Sequence, residues 1–380
     1  MKTKNLAATN PFLTEGYAGP EYFCDRVVET NDMVNELGNG NNVTLYSPRR
    51  MGKTGLIHHS FETLKAAGFH CIYLDIMNTW SLQDFTEKLA SAVIGSTDGK
   101  IESFIQKAIK LFGHLRPTFS IDAVTGLPSM SLNVLPGESE HTLESVFSYI
   151  KGLNRKCCIA IDEFQQIREY PEQGTEALLR SLIQFLPGTV FIFSGSRRHL
   201  MNDMFINPKR PFYESTSPLH LSEIDSGQYF SFASDWFRKS GRLLGEKQFA
   251  AIYDSVFGHT WYVQKILNTL YYKAVADVTD EDVSAVFQHI LKRQEDGFVS
   301  ILRSLTAGER KLLTAIAHEG TVTQPQSASF IKKYALPAAS TIKYSLTKLV
   351  EKEIIYDNNG QYSVYNRFLA LWLKGSRPLQ

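Results

Sequence analysis

Apolar residues along the chain fall into two rhythms. The first is a set of short, uninterrupted runs: Val43-Thr44-Leu45-Tyr46, His70-Cys-Ile-Tyr-Leu-Asp75, Lys156-Cys-Cys-Ile-Ala-Ile161, Thr189-Val-Phe-Ile-Phe-Ser194 and Pro218-Leu-His-Leu221. Runs of this length, without polar alternation, predict strands covered on both faces, as in a parallel sheet. The second rhythm, with a period near 3.6, lies between them. Val27, Met33, Val34 and Leu37 share one helical face, and helices are predicted from Gly52-Lys53-Thr54 to about Ala67, from the Ser81 cap to about Ile94, over His141–Lys151 and over Thr175–Phe185. Gly38–Asn42 is a turn cluster, and Gly68 stands where a helix C-cap is expected. Strand and helix in alternation predict an α/β fold, a doubly wound parallel sheet with helices on both faces.

Two regions depart from that alternation. Residues at about 96–137 carry a predicted helix, Ile101–Phe112, and a hairpin in which Thr118–Ala123 and Ser129–Val134 flank a turn at Gly126, so they read as an insertion on the core. From Ser222 onward the texture is helical: Gly227–Ser240, Glu246–Phe257, a helix opened by Gly258-His259-Thr260 and reaching Ala276, and Asp280–Glu295. The last part gives three helices, Ala307–His318, Gln324–Tyr334 and Pro337–Lys352. A hairpin follows, Ile354–Tyr356 and Gln361–Tyr365 about Asp357-Asn-Asn-Gly360. That is the outline of a winged helix. The expected organisation is an α/β core over 1–221, a helical domain over 222–300, which the family likeness described below implies is a lid, and a winged-helix domain over 301–380.

Composition narrows the classes little. Apolar residues make up 43% and charged residues 21% of 380, as in ordinary globular proteins, and the net charge is +1. No global field favours nucleic acid or membrane. Cys24, Cys71, Cys157 and Cys158 lack metal-ligand spacing and read as buried thiols of a reducing compartment. No apolar run approaches membrane-spanning length, and a cytoplasmic protein without membrane attachment is expected.

The chemistry sits at two strand ends. After the first run comes Ser47-Pro48-Arg49-Arg50-Met51-Gly52-Lys53-Thr54-Gly55, the pattern of a phosphate-binding P-loop with serine in place of the first glycine. Consecutive backbone N–H groups at a helix N-terminus would cradle phosphate oxygens. Gly52 lets the main chain approach closely, Lys53 would reach the β- and γ-phosphates, and the Thr54 hydroxyl would hold Mg²⁺. The third run ends in Asp162-Glu163, as a Walker B strand requires. Asp162 would anchor Mg²⁺ through water, and Glu163 would polarise the attacking water. In isolation the acidic pair equally fits helix-capping carboxylates; together with Lys53 and Thr54 it favours nucleotide hydrolysis. The fourth run ends in Ser194-Gly-Ser-Arg197-Arg198, where a polar or basic residue could sense the γ-phosphate, although arginines at a solvated helix start give the same pattern.

With these residues placed, the chain resembles the P-loop ATPases related to AAA+ and STAND proteins, archaeal-type and bacterial. The shared pieces are Phe23…Arg26…Glu29, Pro48–Thr54, Ile161-Asp-Glu163, Gly195-Ser-Arg197, Gly258-His259 and the terminal winged helix. The resemblance implies that Tyr22, Phe23 and Arg26 flank adenine, that Arg197 is a sensor arginine, and that Arg210 is an arginine finger. Thr260 stands where these families often have proline, which departs from their lid contact. ATP is favoured over GTP because no N-K-x-D signature occurs. Two functions remain open. One is a Mg²⁺-dependent ATPase, working as a switch or motor on a protein partner or as a homo-oligomer. The other is a DNA-binding regulator that uses nucleotide as a ligand. From Thr306 on, ten basic and five acidic residues leave +5, yet the predicted wing Asp357–Tyr365 holds no Lys or Arg.

Overall fold

The computed structural model describes residues 10–97, 115–121, 128–135, 137–273 and 276–375. They form two compact units, one spanning 15–223 and the other joining 10–14 to 224–375.

In the first unit, strands β1 (Val43–Tyr46), β2 (His70–Asp75), β5 (Cys157–Asp162), β6 (Thr189–Gly195) and β7 (Ser217–His220) make a five-stranded sheet in the order β2-β5-β6-β1-β7. Every neighbouring pair is parallel. The five strands are those that the apolar runs predict. β5 is buried at every position because both faces are covered. On one face Cys158, Ala160, Leu45 and Ile192 pack with α1 (Val27–Gly38) and α2 (Lys53–Ala66). On the other, Cys157, Ile159, Ile161 and Phe193 pack with α3 (Leu82–Thr97), α4 (Ser139–Gly152), α5 (Thr175–Ile183) and α6 (Arg198–Ile206). Register sets the chemistry: Asp75 lies opposite Asp162, and Tyr46 opposite Gly195. All five strands therefore end at one edge, where ligands of open α/β sheets bind.

The predicted hairpin exists as antiparallel β3 (Leu115–Ile121) and β4 (Pro128–Val134). It is fastened to α3 at one end: Gln83 Nε2 donates to the Val134 carbonyl at 3.2 Å, and Val134 N–H donates to Glu87 Oε1 at 2.8 Å. The helix expected over Ile101–Phe112 and the turn at Gly126 lie outside the described residues.

The second unit holds α7 (Ser226–Lys239), α8 (Glu246–Ser255), α9 (Thr260–Lys273) and α10 (Asp280–Arg303). α10 runs eight residues past the expected end at Glu295. The winged helix follows as α11 (Ala307–Glu319), α12 (Ala328–Tyr334), α13 (Ala339–Glu351), β8 (Ile355–Asn358) and β9 (Gln361–Val364). A further helix, α14 (Arg367–Gly375), was not expected. Its apolar stripe packs Phe368 against Tyr262 of α9, with ring centroids 4.8 Å apart. Helices α7–α10 and the winged helix therefore share one packed body.

The lead-in, residues 10–14 among those described, belongs to this body too. Asn10 Nδ2 donates to the Asn268 carbonyl, Asn268 Nδ2 to the Phe12 carbonyl and Trp261 Nε1 to the Thr14 carbonyl. Phe12 is fully buried among Phe232, Phe237 and Tyr271. Deleting such a ring leaves a cavity as well as losing transfer free energy. Phe12→Ala is expected to cost about 3–5 kcal/mol, read by denaturant titration. Phe185→Ala, at a side chain 68% exposed, is expected to change stability by less than about 0.5 kcal/mol.

Candidate functional site

The P-loop leaves the sheet between β1 and α2. Ser47 N–H donates to the Gly195 carbonyl at 3.4 Å, so the loop starts as an extension of the ladder with β6. Ser47 does not lie in the left-handed region, and glycine is therefore not required where the usual pattern has one. Gly52 does need its glycine: its φ is +101° immediately before α2. Met51 is buried in the core at 1% exposure, which pins the loop from below and leaves its backbone for the ligand.

Lys53 is the most constrained group of the site. It is only 6% exposed, and its ammonium donates to the Ser47 and Pro48 carbonyls, both at 3.1 Å. Burial lowers its pKa, while Glu163 and Asp162 act in the opposite sense. The Thr54 hydroxyl donates to Asp162 Oδ2 at 2.8 Å, the Tyr73 hydroxyl donates to the same oxygen at 2.9 Å, and Glu163 N–H donates to Oδ1 at 3.0 Å. Asp75, opposite Asp162 on β2, has its pKa raised by burial, with Asp162 and Glu163 adding to that. Glu163 has φ +57°, and its carboxylate Oε2 accepts from Gln165 Nε2 at 2.5 Å and from Ser196 Oγ at 2.7 Å. Lys53, Thr54, Asp162 and Glu163, drawn from two separate stretches of sequence, thus meet at one edge of the sheet.

The donor set fits Mg²⁺. Thr54 and Asp162 provide one hydroxyl and one carboxylate, and no group of three or more His, Cys, Asp or Glu that could hold a metal occurs among the described residues. Mg²⁺ commonly keeps several waters and uses one or two carboxylates together with substrate phosphates.

The predicted base-flanking segment lies along α2. Phe23 stacks on His59 with ring centroids 4.4 Å apart, and a Cβ on Gly55 would sit 3.3 Å from the Phe23 ring. Tyr17 donates to Glu62 at 2.8 Å and meets His59 Nδ1 at 2.9 Å. Arg26 is 3% exposed in a left-handed conformation. It donates to Glu29 at 2.8 Å, to the Ser222 carbonyl at 2.6 Å and to the Met51 carbonyl at 3.5 Å. These bonds make it a staple between the start of α1, the P-loop and the chain just after β7. Tyr22 is half-buried.

The two candidate arginines each pair with carboxylates. Arg197, the residue before α6, donates to Glu169 at 3.1 Å. Arg210 donates to Asp203 through Nε at 2.9 Å and Nη2 at 2.5 Å, and lies 3.6 Å from Glu176. Arg168 joins the same network, at 2.5 Å from Asp203. Hydrogen bonds from Asn207 and then Arg210 hold the Asp203 carboxyl down to about 2.

Tyr73, Gln165 and Ser196 escaped the sequence reading. Ser196 lies in the strand tip it singled out, beside the arginine it preferred. Tyr73 and Gln165 reach the acidic pair only through strand register and a tight turn.

Comparison with known proteins follows the same lines. Residues 23–266 match the family described as an ATPase domain predominantly from Archaea, and residues 296–375 match a probable winged helix domain. Among solved structures the chain is similar to the Walker-type ATPase PABY2304 of Pyrococcus abyssi, with 17% identity, 96% of this chain and 99% of that one covered, and a TM-score of 0.64. It is similar to the Aeropyrum pernix ORC2 protein, solved as ADPNP–ADP complexes, with 15% identity, 96% and 95% covered and a TM-score of 0.60. The Aeropyrum pernix ORC1 protein in complex with DNA gives 14% identity, 93% of each chain and a TM-score of 0.51. At these identities the likeness is one of fold. No curated protein matches the chain.

The geometry makes Lys53 and Asp162 fail differently. Lys53→Ala is expected to lose Mg·ATP binding, since a bond from a charged donor is worth about 1.5–3 kcal/mol, roughly 10–100-fold in affinity. Asp162→Asn is expected to weaken binding only when Mg²⁺ is present. Calorimetry with Mg²⁺ and with EDTA separates the two, and wild-type affinity in Lys53→Ala would remove the P-loop from the site.

Proposed function

The chain belongs to the family of ATPase domains found predominantly in Archaea, and from this we propose that it binds Mg·ATP at the P-loop and hydrolyses it. The observation that supports hydrolysis, beyond nucleotide binding, is Glu163: its carboxylate is held by two donors, next to the carboxylate that would anchor the metal. Backbone N–H groups of 49–54 and the Lys53 ammonium would take the phosphate oxygens, and Thr54 and Asp162 would hold Mg²⁺, which neutralises charge on the phosphates. Glu163 would draw the proton from the attacking water. Tyr22 and Phe23 would flank the adenine while Arg26 fixes the loop. Arg197 would sense the γ-phosphate, and Arg210 would serve a neighbouring copy as the finger, exchanging Asp203 for phosphate.

The output of this cycle is a switch or motor movement. Lid helices and winged helix share one packed body, joined by Phe368 against Tyr262, so a nucleotide-dependent shift of the lid carries the winged helix with it. No helix among the described residues is long and apolar enough to cross a membrane.

A second reading, DNA as the partner, is favoured by the outer face of α13. Ser340, Thr341, Lys343, Tyr344 and Thr347 are exposed there, and the Lys348 ammonium lies 4.5 Å from the Tyr344 ring centroid. Small polar side chains with an aromatic and two lysines suit a helix entering a groove. On this reading the full chain binds duplex DNA with an affinity that falls steeply with salt, and Lys343→Ala lowers the salt slope by about one. Salt-independent or absent binding leaves the winged helix as a protein-docking module.

Glu163→Gln tests the enzyme. It is expected to bind ATP as the wild type does and to lose about 10²–10⁴ in single-turnover hydrolysis, the contribution of a general base. Near-wild-type hydrolysis would leave a nucleotide-binding protein without catalysis. Arg210→Ala is expected to keep ATP binding and lose turnover, with activity restored on mixing with Glu163→Gln protein if the finger acts between copies.

A further inference from the structure

Glu163 sits at a sharp bend, where β5 ends and a short 3-10 turn, Phe164–Glu169, begins in a left-handed step. A carboxylate at such a bend can swing about its side-chain torsions unless something holds it. Two buried side chains do. Gln165 is 2% exposed and Ser196 is 7% exposed, and both donate to the same oxygen, Oε2. Neither donor engages Oε1.

The room for Gln165 is made by a third residue. A Cβ on Gly195 would fall 2.4 Å from Met201 Sδ and 2.5 Å from Gln165 Oε1, so it would displace both side chains. Gly195 is in a strand with no positive φ, so backbone conformation does not call for glycine there. Space does. Gln165 Oε1 is buried without a hydrogen-bond partner. Leaving such an atom unpaired is costly, and a glutamine that served packing alone would be better replaced by an apolar side chain. What an amide offers here is its other end, the N–H that meets Glu163.

We infer that Gln165 and Ser196 are positioning residues that fix Glu163 by its Oε2, presenting Oε1 to the attacking water, and that Gly195 is glycine to admit the Gln165 amide. The inference rests on the hydrolytic reading above. In the step concerned, the water oxygen bonds to the γ-phosphorus as its proton passes to Glu163. The bond from phosphorus to the bridging oxygen breaks, and ADP leaves with that electron pair. A general base contributes only from the correct position, and a displacement of about 1 Å can cost ~10²-fold.

The test is a mutant cycle read by ATP affinity and single-turnover hydrolysis on the full chain: Gln165→Ala, Ser196→Ala, Ser196→Thr, Glu163→Gln, and Glu163→Gln combined with each alanine change. The expected result is unchanged ATP affinity, with hydrolysis slowed about 10- to 10²-fold by each alanine variant. Ser196→Thr, which keeps the hydroxyl, is expected to recover most of the rate. In the Glu163→Gln background neither alanine change should slow hydrolysis further, because the group they position is already disabled. Gly195→Ala is expected to follow Gln165→Ala. If Glu163→Gln is slow while both alanine variants run at full rate, the inference is overturned and the hydrolytic reading stands. Slowing that adds fully to Glu163→Gln would show that the two residues act elsewhere, and overturns it as well. Wild-type hydrolysis by Glu163→Gln would remove both readings together.

Discussion

An ammonium group almost without access to water governs the architecture of the nucleotide unit. Lys53 is 6% exposed, and taking such a cation out of water costs several kcal/mol unless other groups replace its solvation. The Ser47 and Pro48 carbonyls do so in part, and Asp162 and Glu163 supply the opposing charge. Each of these groups must therefore be delivered to one point. The carbonyls come from a loop that begins as an extension of the β1–β6 ladder and is pinned by buried Met51. The carboxylates come from the end of β5, a strand buried along its whole length. A parallel sheet with both faces covered is what places these ends side by side, and the buried charge is what a triphosphate would complete.

Much of this was legible in the sequence because the relevant constraints are local. A strand covered on both faces has to be an apolar run, and the five runs are the five strands. The Gly-Lys-Thr at a helix start and the Asp-Glu at a strand end keep their chemistry in consecutive residues. Ser47 looked like a departure from the usual loop, yet its backbone avoids the left-handed region, so nothing there demanded glycine. Gly52, with φ +101°, is the glycine that conformation requires.

The residues that escaped depend on register or on distant packing. Tyr73 meets Asp162 because β2 and β5 pair in a register that no single stretch encodes. Ser196 was hidden by its neighbour Arg197, the larger and more conspicuous side chain. Phe12 lies in a lead-in punctuated by Pro and Gly, with no periodic pattern, and only its burial against α7 and α9 reveals a structural role. α14 was missed for a different reason: Arg367–Gly375 is short and follows a hairpin, and its apolar stripe acquires meaning through Tyr262 and α11.

The assembled edge of the sheet is proposed to perform chemistry on ATP with Mg²⁺. The most direct measurement is phosphate release by the wild-type chain at saturating ATP, with Mg²⁺ and with EDTA, on protein sized by light scattering, with DNA present and absent. Release that requires Mg²⁺ and saturates with ATP is expected. Saturable ATP binding without phosphate release above the no-protein background, in every one of these conditions, would contradict it.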